Sequence, residues 1–523
     1  MYSYNRQEIH AKIYFGGIIL LAMSIPLSEF MMSIAQFILA GNWLIEGGFK
    51  NKFNILKTRK SILIFLTIFI IHILGLIVTD DFKYGFNDIR IKIPLFILPL
   101  IIGTTESLNE KQIKTVLTSL SIALFAGSVS SMLVVFGYIH KVVESERDIS
   151  LFISHIRFAL LLNVAIFSMF YFIISKKIIL SKIEKIGFVA LLAWFIVFLF
   201  ILKSVTGIII FLVLAFALTI YVFFRRKNPW YKASIIGLTA LGIGLIFYIV
   251  YGVYSDFYNI EKIDFKKLEE QTASGNAYHH DTLNRQIENG HYTYIYVCEK
   301  ELEKEWNKKS SFAYKGKDKK NHDLKYTLIR YLTSLGLRKD AEGVLQLKSE
   351  DIKVIENGYA NQIYKSNNGM YNRIYEIIWE FDVYKKGANP SGHSITQRIE
   401  FLKAAKNIVL ANFWFGVGTG DVKQEFLSNY ENTNSILTEK ARLRAHNQLV
   451  TFFITFGLIG FLWILFALFY PIYLEKGFRN ILFTVFLVIA MLSMLNEDTL
   501  ETQAGVTFFA FLYSLLLFGA SKK

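Results

Sequence analysis

The chain has one cysteine, Cys298, only six prolines, and few charges: Asp, Glu, Lys and Arg make up 19% of its 523 residues. A single cysteine excludes a disulfide framework and any Cys-based zinc or iron–sulfur site. So few prolines exclude a collagen-like or proline-rich disordered chain. Soluble domains carry about 25% charged residues, so the deficit argues against a soluble protein. Apolar residues fill the difference: 53% are hydrophobic and 16% aromatic, and the mean hydropathy is +0.38. A net charge of +15 would suit nucleic acid, but its distribution does not. Residues 255–445 hold 29 basic and 26 acidic residues, against 28 and 16 in the rest. The excess sits among the apolar runs, where membrane topology governs it, and no nucleic-acid partner is expected.

A membrane span needs about 20 mostly apolar residues. Residues 61–78, 115–139, 158–174, 186–202, 205–224, 233–254, 447–474, 480–496 and 502–521 meet that need. The shorter runs 13–28, 30–45 and 89–105 bring the total to about twelve spans. The expected fold class is therefore an all-α polytopic membrane protein. Residues 1–254 form an N-terminal bundle of about nine spans, and 446–523 a C-terminal bundle of about three. Between the ninth and tenth spans lies one large, mostly helical segment, 255–445. With a cytoplasmic N-terminus, 21 basic residues fall in cytoplasmic segments, Lys176, Arg226, Lys227, Lys522 and Lys523 among them. Seven fall in the short outer segments: Lys83, Arg90, Lys92, Lys141, Arg147, Arg157 and Lys203. The positive-inside rule thus places both termini in the cytoplasm and 255–445 in the periplasm of a bacterial inner membrane. The first apolar run reads as a retained span, not a cleaved signal.

Within 255–445, helices are expected over 297–309, 325–335 and 351–365, with Ser349 as N-cap of the last. Ser394 and Gln397 form a capping-box pattern before another helix. Its expected buried face is Ile395, Ile399, Leu402, Ala405 and Val409, and Arg398 borders it. An arginine there either snorkels or pairs with an anion.

His446 and Asn447 sit at the outer mouth of the 447–474 span, just after Arg442 and Arg444. A histidine at such a mouth can exchange protons near neutral pH; the plain alternative is an interfacial residue without chemistry. His155 and Arg157 open the 158–174 span at the same face, and Arg90, Lys92 and Lys203 lie near it. Singly these are anchors. Together they suit an anionic headgroup, because the planar guanidinium fork donates paired hydrogen bonds to phosphate. His72 alone interrupts the deep span interiors, which lack the carboxylates a coupled transporter needs. Gly416, Gly418 and Gly420 give G-x-G-x-G after a helix, which is not a dinucleotide fingerprint but suits close backbone approach. His279, His280, Asp281 and His291 match no zinc spacing. Glu497, Asp498 and Glu501 either balance the arginines or orient a sugar, and balance is the simpler expectation.

The order of parts resembles the O-antigen ligase and O-antigen polymerase family of bacterial envelope glycosyltransferases. The stretch from Arg398 through Gly416–Asp421 looks like the family's arginine, helix and glycine turn. Arg444–Trp463 looks like its His-Asn followed by a span with a Gly-x-x-Gly step, Gly457 and Gly460, and HIRFALLLN (155–163) looks like a family span opening. The resemblance implies a glycan donor on undecaprenyl diphosphate, an acceptor hydroxyl, inversion, and no cofactor or required metal. It implies His446 as general base and Arg398 as the diphosphate stabiliser. Arg157 is the expected second diphosphate ligand, with Lys92, Lys203 and Arg90 beside it; His155, Arg444, Asn447 and Gly418 support. Where many members carry Ser-Arg, this chain reads Lys203-Ser204, a point charge without the fork. Lipid A–core is the expected acceptor. A polymerase extending the glycan, a protein O-oligosaccharyltransferase, a lipid-linked glycan flippase and a non-catalytic envelope assembly protein are the rivals.

Overall fold

The computed structural model describes residues 6–140, 149–175, 177–225, 228–365 and 369–521. The basic residues Lys141, Arg147, Lys176, Arg226, Lys227, Lys522 and Lys523 lie outside them. Among the described residues the regular structure is mostly helix, with one two-stranded hairpin pairing Ile287–Glu288 with His291–Tyr292 and a few isolated bridges. Each apolar run named above is mostly helix, and the 89–105 run is split between Phe82–Lys92 and Pro94–Thr104. Among the described residues, six helices are long and apolar enough to cross a membrane: Lys60–Val78, Glu110–Val135, His155–Ile174, Lys182–Ile201, Pro229–Tyr258 and Gln448–Leu474. Val205–Tyr221, Ile481–Met494 and Gln503–Leu517 are shorter apolar helices.

Packing divides the chain differently from hydropathy. One compact unit comprises residues 1–221 and 398–523, the other 222–397. In the first, Lys60–Leu74 packs on Gln448–Leu474, and Gln503–Leu517 packs on Pro94–Thr104. At one end of Gln448–Leu474, Arg59 grips Glu475 with both arms, Nε to Oε1 at 2.8 Å and Nη2 to Oε2 at 2.9 Å. The 155–174 helix meets 205–221 where Gly207 lies against Ala159, and Asn163 donates to the Gly207 carbonyl at 3.0 Å.

Gln448–Leu474 is broken in the middle. Gly457 has φ +62°, outside any helix. A break frees backbone groups that a bilayer cannot satisfy, and the 413–418 turn satisfies them. Leu458 N–H donates to Phe413 O at 2.7 Å, Val417 N–H to Ile454 O at 2.9 Å, and Gly418 N–H to Thr455 O at 2.9 Å. Gly416 has φ +73°, and a Cβ there would collide with the backbone of Thr455–Gly457. The next residues dock on 72–81. Thr419 Oγ1 donates to His72 O at 2.7 Å, and Asp421 accepts the N–H groups of Asp80 and Asp81, each at 2.8 Å.

In the second unit, helices Glu299–Lys309, Leu324–Ser334 and Ser349–Glu356 enclose a core around Trp306, Leu328, Tyr331 and Leu332. Three expectations need correction. The 351–365 helix stops at Glu356, before Gly358 at φ +78°. Its first N–H group is capped from within: Asp351 accepts from Lys348 N, so Ser349 is not the cap. The Ser394–Gln397 box does not form, because Ser394 Oγ is taken by Arg373 and the helix starts at Thr396. Pro229–Tyr258 buries only its end, where Phe257 meets Tyr375 edge-on at 5.2 Å; no residue of its apolar window is buried.

Candidate active site

Thr396–Ala411 buries Phe401, Ala404, Ala405 and Ile408, a face rotated from the one expected; Leu402 is 46% exposed. Arg398 stands one turn before Phe401 on that inner face. Its Nη2 lies 2.8 Å from Glu497 Oε1, and its Nη1 donates to Asn496 Oδ1. The second oxygen of the same carboxylate, Oε2, is 3.8 Å from His446 Nδ1. Arg398 and His446, 48 positions apart in the sequence, thus meet on one carboxylate.

His446 is held in a left-handed backbone conformation, φ +49°, which a non-glycine residue adopts at a cost of about 1–3 kcal/mol. Its ring lies 5.6 Å from Phe401. Asn447 fixes the following helix: its Oδ1 accepts from Val450 N at 3.1 Å, and its Nδ2 donates to Leu495 O at 2.9 Å.

A cavity of about 290 Å³ opens here. Its wall includes Arg157, Lys423, Arg442, Arg444, His446, Glu497, Asp498 and Glu501. Four basic side chains face three carboxylates, which suits a polyanion only where the cations are not already spent on protein partners. Arg444 is so spent: its Nη1 reaches Glu501 Oε2 at 3.1 Å, and burial, which opposes its charge, is outweighed by Glu501 and Asp498, which raise its pKa. Glu501 also accepts from Gln448 at 3.0 Å and from Lys92 at 3.1 Å. Burial disfavours the charge on Glu501, yet Lys92 and Arg444 hold it below the usual carboxylate range. Asp498 goes the other way: burial pushes it up, although Arg444 opposes this. For Glu497 burial again acts upward, and His446 and Arg398 together bring it below the ordinary value.

The sequence-derived residues therefore separate. His446, Arg157 and Arg444 share the cavity, and Arg398 reaches its wall through Glu497. Lys92 does not line it; 1% exposed, it is clamped between Asp88 at 2.6 Å and Glu501 at 3.1 Å, within a buried charge network. Arg90 is exposed and donates to Asn87 Oδ1 at 2.8 Å. Lys203 occupies a left-handed turn, φ +52°, outside the cavity wall. His155 begins its helix, capped by Ser154, and is also outside that wall. Gly418, φ +90°, packs against Thr79 and Gly75, where a Cβ would lie 2.6 Å from Thr79 Oγ1. His72 is a core histidine whose Nδ1 bonds Ile68 O at 2.6 Å. His291 pairs with Glu261 at 2.7 Å, and His280 with the Glu269 carbonyl at 2.9 Å. Sequence reasoning missed the bridge made by Glu497 and the wall position of Lys423, and named Arg442 only as a neighbour of His446. The acidic trio before the last span was the available signal for the first.

Beside the site, Leu402, Ala405, Lys406, Val409, Leu449 and Phe453 help line an apolar groove of about 340 Å³. No curated protein matches the chain. Residues 360–465 match the family model described as O-antigen ligase. That stretch contains Arg398, the glycine turn, Arg444, His446, Asn447 and the broken helix around Gly457. Over that stretch the chain is similar to the O-antigen ligase family, and with its apolar helices this supports a bacterial membrane protein of glycosyltransferase-like type.

Proposed function

We propose that this protein transfers a glycan from undecaprenyl diphosphate to an acceptor hydroxyl at the periplasmic membrane face, with lipid A–core as acceptor. The observation that carries the reading is the convergence of Arg398 and His446 on Glu497, beside a cavity that Arg157 also lines. The diphosphate lies between Arg398 and Arg157, whose forks match paired phosphate oxygens. The polyprenyl tail follows the adjoining apolar groove, and Lys406 stands at its charged edge.

With Nδ1 turned to Glu497, Nε2 of His446 is the nitrogen for the acceptor. It takes the hydroxyl proton as the acceptor oxygen bonds to the anomeric carbon. The bond from that carbon to the phosphate oxygen breaks, and its electron pair leaves with the diphosphate. Arg398 and Arg157 stabilise the charge that develops there, which is where fixed cations contribute most. Direct displacement inverts the anomeric centre. Arg444 and Lys92 act as structural cations that keep Glu501 and Asp498 in place.

A deletion strain tests the reading by its lipopolysaccharide. Bare core together with accumulated lipid-linked polymer is the expected result. Core carrying one repeat unit would instead identify a polymerase, and loss confined to glycoprotein a protein-directed transferase. An unchanged envelope would refute the proposal.

A further inference from the structure

The segment Leu495–Glu501 lies beyond the residues matched to the family, yet the polar groups of the site converge on it. Leu495 O accepts from Asn447, Asn496 from Arg398, and Asp498 Oδ1 from Thr451 at 2.8 Å. Asp498 and Glu501 are 9% and 7% exposed at the side chain, held among buried partners. Glu497 differs: it is 21% exposed, it lines the cavity, and the two groups it touches are those assigned to the chemistry above. An arginine edge that holds a carboxylate at 2.8 Å cannot at the same time hold a phosphate. A carboxylate on one nitrogen of an imidazole fixes the tautomer that leaves the other free as a base.

We propose that Glu497 is a positioning residue with two opposed effects. It orients His446 from the Nδ1 side, and it occupies Arg398 as a stand-in anion that the donor diphosphate must displace. This rests on the function proposed above. The two effects carry opposite signs. Removing the carboxylate charge frees Arg398 and relieves repulsion of the diphosphate, so donor binding tightens. The same change loosens the base, so turnover falls. A residue that only supported the fold would weaken both.

The test uses the full-length protein purified in detergent, with undecaprenyl diphosphate as binding probe. Membranes of the deletion strain supply donor and acceptor for the transfer assay. Glu497→Gln is expected to bind the probe about 2–5-fold tighter, the worth of a partly exposed ion pair. Its kcat is expected to fall about 10-fold or more, with KM lowered. Weaker or unchanged binding, or an unchanged kcat, would overturn the inference. Should Glu497→Gln not yield folded protein, Glu497→Asp decides: lowered kcat with wild-type binding supports the inference, and unchanged kcat refutes it. A wild-type protein that neither binds the probe nor transfers glycan refutes the functional reading itself. A wild-type protein that does both, with Glu497→Gln indistinguishable from it, refutes this inference alone.

Discussion

At the residue scale, the chemistry assigned to His446 and Arg398 makes separate demands. His446→Ala keeps the fold, because the ring is partly exposed and the neighbouring cap belongs to Asn447. It should lower transfer by about 10²–10⁴-fold, the usual worth of a general base; gel analysis of complemented deletion strains reads this directly. Arg398→Lys keeps the charge and loses the fork. It should fail to restore surface glycan, and complementation by lysine would show that paired hydrogen bonds are not required. Glu497 adds a pH dependence. Its pKa is depressed in the fold by His446 and Arg398 against the opposing effect of burial. The stability it contributes is therefore complete above the unfolded carboxylate value, about 4.3, and is lost as pH falls through the lower folded value. The difference in thermal midpoint between wild type and Glu497→Gln should be full at neutral pH and should close in acid.

At the element scale, the broken Gln448–Leu474 helix and the 413–418 turn form one interlocked piece. The break at Gly457 is tolerable in an apolar setting only because the turn returns hydrogen bonds to it. Gly416→Ala would push a Cβ into the Thr455–Gly457 backbone. Gly48 offers a control: it is left-handed, φ +65° and ψ 24°, and nothing lies within 4 Å of an added Cβ. Gly48→Ala should cost only the left-handed strain, about 1–2 kcal/mol. Gly416→Ala should cost a further 1–3 kcal/mol or so from overpacking. Thermal unfolding in detergent compares them, and equal midpoints would mean the interlock carries no energy. The same piece bears His446 at its start and Arg398 on the helix leading into the turn, so its loss should also lower activity.

At the scale of the whole molecule, the charge pattern predicts which loops face outward. Ser274 and Lys177 are both exposed, and Cys298 is 3% exposed, so the background from the native thiol is low. A cysteine placed at Ser274 should react with a membrane-impermeant maleimide in intact spheroplasts. One placed at Lys177 should react only after lysis, and the reverse pattern would invert the topology. Much of the architecture was legible in advance because span formation depends on local sums: each run such as 61–78 or 447–474 is apolar enough by itself, whatever packs against it. The rotated face of Thr396–Ala411 was not legible, because Leu402 and Phe401 are equally apolar and only the neighbouring helices choose between them. Nor was the role of Lys92 as a clamped structural cation, which depends on Asp88 one turn away and on Glu501 across the fold. The sequence by itself pointed to a helical membrane protein, its helix-bearing segments and a candidate arginine and histidine, since hydrophobicity and residue chemistry are carried by each segment alone. Only the tertiary structure decided that Arg398 and His446 share Glu497, a residue 99 positions from the arginine, because which carboxylate meets which cation is settled by packing between distant segments.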